Sequence, residues 1–276
     1  MIQIGKYHNL IITREAPPGL YLKDAEENEI LLPNKYIPEN FALGDEIEVF
    51  VYLDHEERPV ATTLKPFVKL DEFAYLRCVE TTEIGAFLDW GLEKHLFAPF
   101  REQAQKMKTG EWYLIFCYLD LDTDRLVASS KVDAFLDNSG LTVEAYEKVN
   151  IIVSNQTDLG FNVIVNGLHR GLIYKDDIFQ KLHPGDKLEA YVKKTRSDGK
   201  IDITLQRPGY RSIEPNAQRI LTALELNDGF LPLHDKSTPE EIHDRLQMSK
   251  KSFKKAVGVL YKKRLVELEE KGIRLK

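Results

Sequence analysis

Gly160-Phe161-Asn162-Val163-Ile164-Val165 and, further on, Leu182-His183-Pro184-Gly185-Asp186-Lys187-Leu188 place two glycines 25 residues apart, each ahead of an apolar run. The same interval separates Gly85 from Gly110 and Gly19 from Gly44, and the three frames are offset by 66 and 75 residues. A fixed interval used three times is the mark of one small module repeated. Twelve residues after each first glycine stands a second apolar run: Leu31-Leu32, Phe97-Ala98 and Leu172-Ile173. Each second glycine is followed by an acid and then by alternation: Ile47, Val49, Val51; Tyr113, Ile115, Cys117; Leu188, Ala190, Val192. That period belongs to strands with one buried face, and the glycine before them suits a turn at positive φ. A polar tip precedes each last short strand, and in the third repeat it is Ser197-Asp198-Gly199, a hairpin signal. Five short strands in about 65 residues would leave open edges, whereas a five-stranded barrel closes them.

The period-2 pattern stops after Pro208-Gly209. Ala217 to Leu226 reads as a helix with Ile220, Leu221 and Leu224 on one face, ended by Asn227-Asp228-Gly229. Thr238-Pro239-Glu240-Glu241 starts a second helix, with Thr238 and Glu241 forming a capping box. Ser249 caps a third, running to about Arg264 with Phe253, Val257 and Leu260 as its apolar stripe. Leu265–Leu268 and Ile273–Leu275 then make a hairpin. Three helices and a two-stranded wing are the order of a winged helix-turn-helix. The expected fold is mainly β with an α+β C-terminal domain: barrels over 1–65, 66–138 and 142–210, then a winged helix over 211–276.

Charge is unevenly spread. Residues 1–141 hold 14 Lys/Arg against 25 Asp/Glu, a net of −11; residues 142–211 hold 11 against 9, and residues 212–276 hold 13 against 10. A polyanion is therefore expected on the back half. The third helix carries Lys250, Lys251, Lys254, Lys255, Lys262, Lys263 and Arg264 and no acid. Such a face would hold phosphates without regard to sequence, and its few Arg, Asn or Gln residues argue against base reading. No apolar run reaches the length of a membrane span. The start Met1-Ile2-Gln3-Ile4-Gly5-Lys6 lacks the design of a secretory signal. Cys78 and Cys117 lie in apolar strand patterns, as reduced core thiols of a cytoplasmic protein would.

The third repeat resembles the S1 RNA-binding domain, a barrel of the oligonucleotide-binding type, through Gly160 to Val165, Arg170-Gly171-Leu172-Ile173-Tyr174, Leu182 to Asp186 and Asp198-Gly199-Lys200-Ile201-Asp202-Ile203-Thr204-Leu205. The whole order, closed by Met248-Ser249-Lys250-Lys251-Ser252-Phe253-Lys254-Lys255, resembles the conserved virulence factor B family of bacterial RNA-binding regulators over essentially the full chain. The resemblance implies an RNA face with aromatics around the first glycine, a histidine on the third strand, and an acid and an arginine at the closing hairpin. Phe161 lies between Leu159 and Asn162, Tyr174 takes the histidine position, Arg196 replaces the acid and Lys200 takes the basic position. With Arg170, Lys193 and the helix lysines Lys250, Lys251, Lys254, Lys255 and Lys262, these are the expected RNA contacts. Phe161 either shares a stacking platform with Tyr174 or faces inward. In the second repeat Phe87 holds an aromatic position, while Ile84 and Ala98 replace the other ring and the histidine; the first has Pro17-Pro18-Gly19, with Tyr21 further on. Both repeats are surrounded by acid, so a structural or protein-contact role is expected there.

The seven histidines share no metal-ligand spacing, and no phosphate loop or nucleophile elbow is present. No catalytic residue, metal or cofactor is expected. Acidic pairs such as Glu56-Glu57 and Asp176-Asp177 fall in predicted turns, where solvated faces are expected. The expectation is a non-catalytic, cytoplasmic protein that binds single-stranded RNA through the third barrel and the winged helix as a post-transcriptional regulator. The alternatives are an adapter whose acidic barrels dock a basic protein, and a winged-helix regulator that binds DNA.

Overall fold

A computed structural model describes residues 2–178, 180–206 and 215–276. The expected boundary at 210/211 and the Pro208-Gly209 break lie outside the described residues. Barrel 1 is built from β1 (Tyr7–Ala16), β2 (Gly19–Lys23), β3 (Glu29–Pro33), β4 (Glu46–Leu53) and β5 (Pro59–Thr62). Barrel 2 has β6 (Glu72–Thr81), β7 (Gly85–Asp89), β8 (Leu96–Pro99), β9 (Trp112–Asp120) and β10 (Arg125–Ser129). Barrel 3 has β11 (Lys148–Gln156), β12 (Gly160–Val165), β13 (His169–Tyr174), β14 (Lys187–Thr195) and β15 (Ile201–Thr204). All three are closed with one strand order, 1-2-3-5-4, in which the third and fifth strands run parallel.

The repeated glycines do two different jobs. The second of each pair, Gly44, Gly110 and Gly185, sits at φ +94°, +90° and +92° in the turn before the fourth strand. Its N–H donates to the carbonyl of Ile12, Cys78 or Val153 at 2.8 Å each time. The N–H of that same residue donates back to Asp45, Glu111 or Asp186. Beside each of these residues the first strand's register shifts by a bulge. A bulge bends a strand and raises its twist, so one long strand can pair with the second strand at one end and the fourth at the other. The first glycines, Gly19, Gly85 and Gly160, lie against the third strand: a Cβ there would stand 2.0, 2.5 and 1.9 Å from the carbonyl oxygens of Leu32, Ala98 and Ile173.

Barrels 1 and 2 share packing. Phe50, Tyr52 and Val60 join the core cluster of barrel 2, and Trp90 meets Phe50 and Tyr52 edge-on at 5.8 and 6.5 Å. Between barrels 2 and 3, Phe135 stacks on Phe116 at 4.3 Å, Asp133 pairs with Arg170 at 2.8 Å, and Gly185 abuts Tyr75. Cys78 and Cys117 are free and buried, and burial pushes the Cys117 thiol up to about 12 and the Cys78 thiol upward as well. The thiolate is the reactive form. Neither cysteine is therefore expected to be alkylated in the folded chain at mildly alkaline pH, and both should react once it is denatured; mass spectrometry after iodoacetamide treatment checks this.

The C-terminal domain has α1 (Pro215–Glu225), β16 (Phe230–Leu231), α2 (Pro239–Leu246), α3 (Lys250–Lys262), β17 (Val266–Glu269) and β18 (Gly272–Leu275). Thr238 and Glu241 form the expected capping box, and Ser249 Oγ accepts from Ser252 N–H at 3.1 Å. Gln247 at φ +53° turns α2 into α3 within three residues, the spacing of a helix-turn-helix. Ile220, Leu221, Leu224, Ile242, Phe253 and Leu260 are buried together. One strand was not expected: β16 pairs with β18, so the two wing strands belong to a three-stranded sheet with β18 in the middle.

Candidate nucleic-acid interface

On barrel 3, an outward groove of about 470 Å³ runs over β12, β13 and the β14–β15 hairpin. In five-stranded barrels of this type the face of the second and third strands, with the hairpin beside it, is where oligomers lie. Register decides which side chains reach it. Asn162 opposes Leu172, and Tyr174 opposes Gly160, which leaves the ring uncovered on that side. Leu159, at the mouth of the groove, is 60% exposed. Arg170 on β13 and Arg196 and Lys200 in the β14–β15 connection complete the lining.

Two expected contacts lie elsewhere. Phe161 opposes Ile173, which is fully buried, and packs against the barrel core. Directly opposed residues share a face of the sheet, so Phe161 belongs to the inner face and Tyr174 to the outer. The repeat frame carries the same message: Leu20 and Ala86, at the positions of Phe161 in barrels 1 and 2, are both fully buried. Lys193 does not line the groove; its Nζ reaches Asp177 at 3.0 Å, a carboxylate with no exposed side-chain area. Asp177 is thus an interior partner rather than the solvated turn residue expected. The equivalents of Tyr174 are also corrected by register. Pro33 opposes Gly19 and Pro99 opposes Gly85, so barrel 2 has Pro99, not Ala98, at that position.

The groove's cations are not idle. Arg196 binds Asp202 through Nε at 3.2 Å and through a terminal nitrogen at 3.0 Å, and donates to the Tyr174 hydroxyl at 2.5 Å. Its guanidinium carbon lies 5.9 Å from the Tyr174 ring centroid. Tyr174 is thereby held in place by a charged neighbour. Lys200 pairs with Asp198 at 2.8 Å, and this hydrogen bond holds the Asp198 carboxyl below the usual carboxylate range. Arg170 is paired with Asp133 across the barrel boundary. Asn138 closes the groove's end: its amide donates to the carbonyls of Arg170 and Gly199 and accepts from Arg170 N–H. Neutralised cations beside a half-buried ring and two leucines make a surface suited to flat apolar groups with polar edges.

Helix α3 is electrostatically different. At about 100° per residue, Lys251, Lys254, Lys255 and Lys262 fall on the face opposite Phe253, Ala256 and Leu260, and Lys250 lies at the edge of that face. Lys251, Lys254, Lys255 and Lys262 are exposed and Lys250 half-buried. Lys251, Lys254 and Lys262 have no ion-pair partner among the described residues. Gly258 lies in the middle of this face with nothing within 4 Å of its Cβ position, and Tyr261 beside it is 55% exposed. Among the described residues no three His, Cys, Asp or Glu side chains come together as a metal site, and no helix is long and apolar enough to cross a membrane.

A family model described as a CvfB-like winged helix domain matches residues 218–275, and an S1 domain model matches residues 4–64. The S1 match thus falls on barrel 1, whereas the most specific sequence motifs lie in barrel 3; one strand order joins the two. The uncharacterized protein YitL of Bacillus subtilis is 29% identical over 94% of this chain and 89% of its own. Conserved virulence factor B of Staphylococcus epidermidis (strain ATCC 12228) is 25% identical over 86% of this chain and 82% of its own, and that of Staphylococcus aureus (strain USA300) is 26% identical over 84% and 80%. A solved multidomain protein with nucleic acid binding domains from Streptococcus pneumoniae is similar over 99% of this chain and 98% of its own, at 24% identity and a TM-score of 0.44. The resemblance to the conserved virulence factor B family holds over most of the chain. S1 and winged-helix domains are nucleic-acid-binding types rather than catalytic ones, and they point to nucleic acid as the ligand.

Proposed function

We propose that this chain is a non-catalytic cytoplasmic regulator that binds single-stranded RNA through the outer groove of barrel 3 and the lysine face of α3. The observation that carries the reading is the groove itself: Tyr174, Leu159 and Leu172 present apolar surface between Arg170, Arg196 and Lys200 on the face that such barrels offer to oligomers. Because each of those cations already holds an Asp, charge alone gives this groove little. Stacking must contribute, and only unpaired bases expose the faces to stack. The α3 lysines supply the phosphate attraction, and Gly258 lets the backbone of the nucleic acid come close. The regulatory role and the choice of RNA over DNA rest on the family resemblance.

The test compares Tyr174→Ala with Phe161→Ala. Tyr174→Ala is expected to weaken binding of an unstructured RNA by roughly 1–3 kcal/mol with little change in melting. Phe161→Ala is expected to lower stability by roughly 3–5 kcal/mol and to affect binding only through unfolding. RNA affinity that survives Tyr174→Ala in a normally melting protein would remove the groove from the interface, and tighter binding of duplex DNA than of RNA would favour the DNA-regulator alternative. A gain is expected from Asp198→Asn. It releases Lys200 from its exposed pair and should raise RNA affinity about two- to fivefold at low salt.

A further inference from the structure

Barrel 2 has rings where barrel 3 has none. Phe87 and Phe97 hold the frame positions of Asn162 and Leu172, 75 residues earlier. They oppose each other directly across β7 and β8, with centroids 5.1 Å apart and planes at 37°. Ile84 beside them is 63% exposed. The closing hairpin of barrel 1 stands over this face through Leu53, His55 and Glu57, so the rings line a cleft of about 410 Å³ between the two barrels rather than an open groove.

The charges at its rim are unequal. Lys94 and Arg125 both hold Glu57, at 2.9 and 3.0 Å; Lys35 holds Glu93; Arg58 holds Asp54 and Glu56. Glu80, which lines the cleft, and Glu83, next to Ile84, are exposed and have no ion-pair partner among the described residues. A phosphate-bearing chain would meet carboxylates and, among the described residues that line the cleft, no Lys or Arg without an ion pair, inside a half of the molecule with a net charge of −11 from 14 Lys/Arg and 25 Asp/Glu. A guanidinium would meet two aromatic faces and a carboxylate. It is planar, stacks on rings and pairs with carboxylates through its fork of donors, which an ammonium does less well.

We propose that the cleft between barrels 1 and 2 binds an arginine side chain carried by a basic protein segment, with Phe87 and Phe97 against the guanidinium and Glu80 accepting its N–H groups. This site is separate from the RNA groove of barrel 3 and does not depend on it.

The test uses the full chain with an arginine-rich and a lysine-rich peptide of equal length and charge, at physiological salt. The arginine peptide is expected to bind about tenfold more tightly, and the double variant Phe87→Ala/Phe97→Ala is expected to lose that preference while RNA affinity stays unchanged. Equal binding of the two peptides overturns the proposal. So does a preference that survives in the double variant, or a loss of RNA affinity in place of peptide affinity, which would make the rings a base platform. Should the double variant melt early, Glu80→Gln decides: this surface change is expected to weaken the arginine peptide about threefold, and an unchanged affinity overturns the proposal.

Discussion

Gly160→Ala is expected to unfold barrel 3. The added Cβ would stand 1.9 Å from the carbonyl oxygen of Ile173 and 2.9 Å from its carbon, on a residue at φ +152°. Both opposing atoms are backbone, so no side chain can swing away; β12 and β13 must separate. Those strands pair through six registered positions from Gly160–Tyr174 to Val165–His169, and Val163, Val165 and Ile173 are core members. The expected cost exceeds about 4 kcal/mol, in the range reserved for broken cores and forbidden backbone. Because Gly160 lies directly opposite Tyr174, the groove goes with the barrel, and RNA binding by that face is lost. Gly258→Ala is the matched control. It sits exposed in a helix with open space around it, and is expected to stabilise the winged helix by about 1 kcal/mol. Hydrogen exchange resolved by segment checks both: fast exchange confined to 148–204 for Gly160→Ala and slower exchange over 250–262 for Gly258→Ala. Parent-like protection of barrel 3 in Gly160→Ala would refute the close approach.

The glycine interval made the barrels legible because both jobs it serves are backbone jobs, a tight turn and a close approach, and backbone demands recur wherever the module recurs. The helix caps were legible for the same reason: Thr238, Glu241 and Ser249 satisfy N–H groups within three residues of themselves. The side of Phe161 was also written in the frame, since the buried Leu20 and Ala86 hold its position in the other repeats. The partners of Lys193, Arg196 and Arg170 were not legible. Asp177 comes from a 3₁₀ turn, Asp202 from across a hairpin and Asp133 from the preceding barrel, and no local pattern reports such meetings. Strand β16 has two residues, too few to show a period. The cleft between barrels 1 and 2 depends on how two modules abut, which a repeat unit by itself does not encode.

Replacing Lys250, Lys251, Lys254 and Lys255 together with Ala is expected to remove most of the salt dependence of RNA binding. These side chains follow the Ser249 cap on the outer face of α3, and alanine keeps the helix because its propensity is the highest. The buried stripe of Phe253, Ala256 and Leu260 is untouched, so the domain should still melt as one unit. Each phosphate contact on a single strand contributes about 0.7 to the slope of log affinity against log salt. Four lost contacts should therefore flatten the slope by up to about 2.8 and weaken all RNA sequences alike. The matched variant in barrel 3, Arg196→Ala/Lys200→Ala, should change the slope less, because Asp202 and Asp198 already compensate those cations before RNA arrives. It should instead alter affinity through Tyr174, whose hydroxyl loses its donor. The two variants thus separate a charge-driven helix from a stacking groove by slope. A slope unchanged in the folded lysine variant would make α3 a solvated face and leave barrel 3 as the whole of the interface.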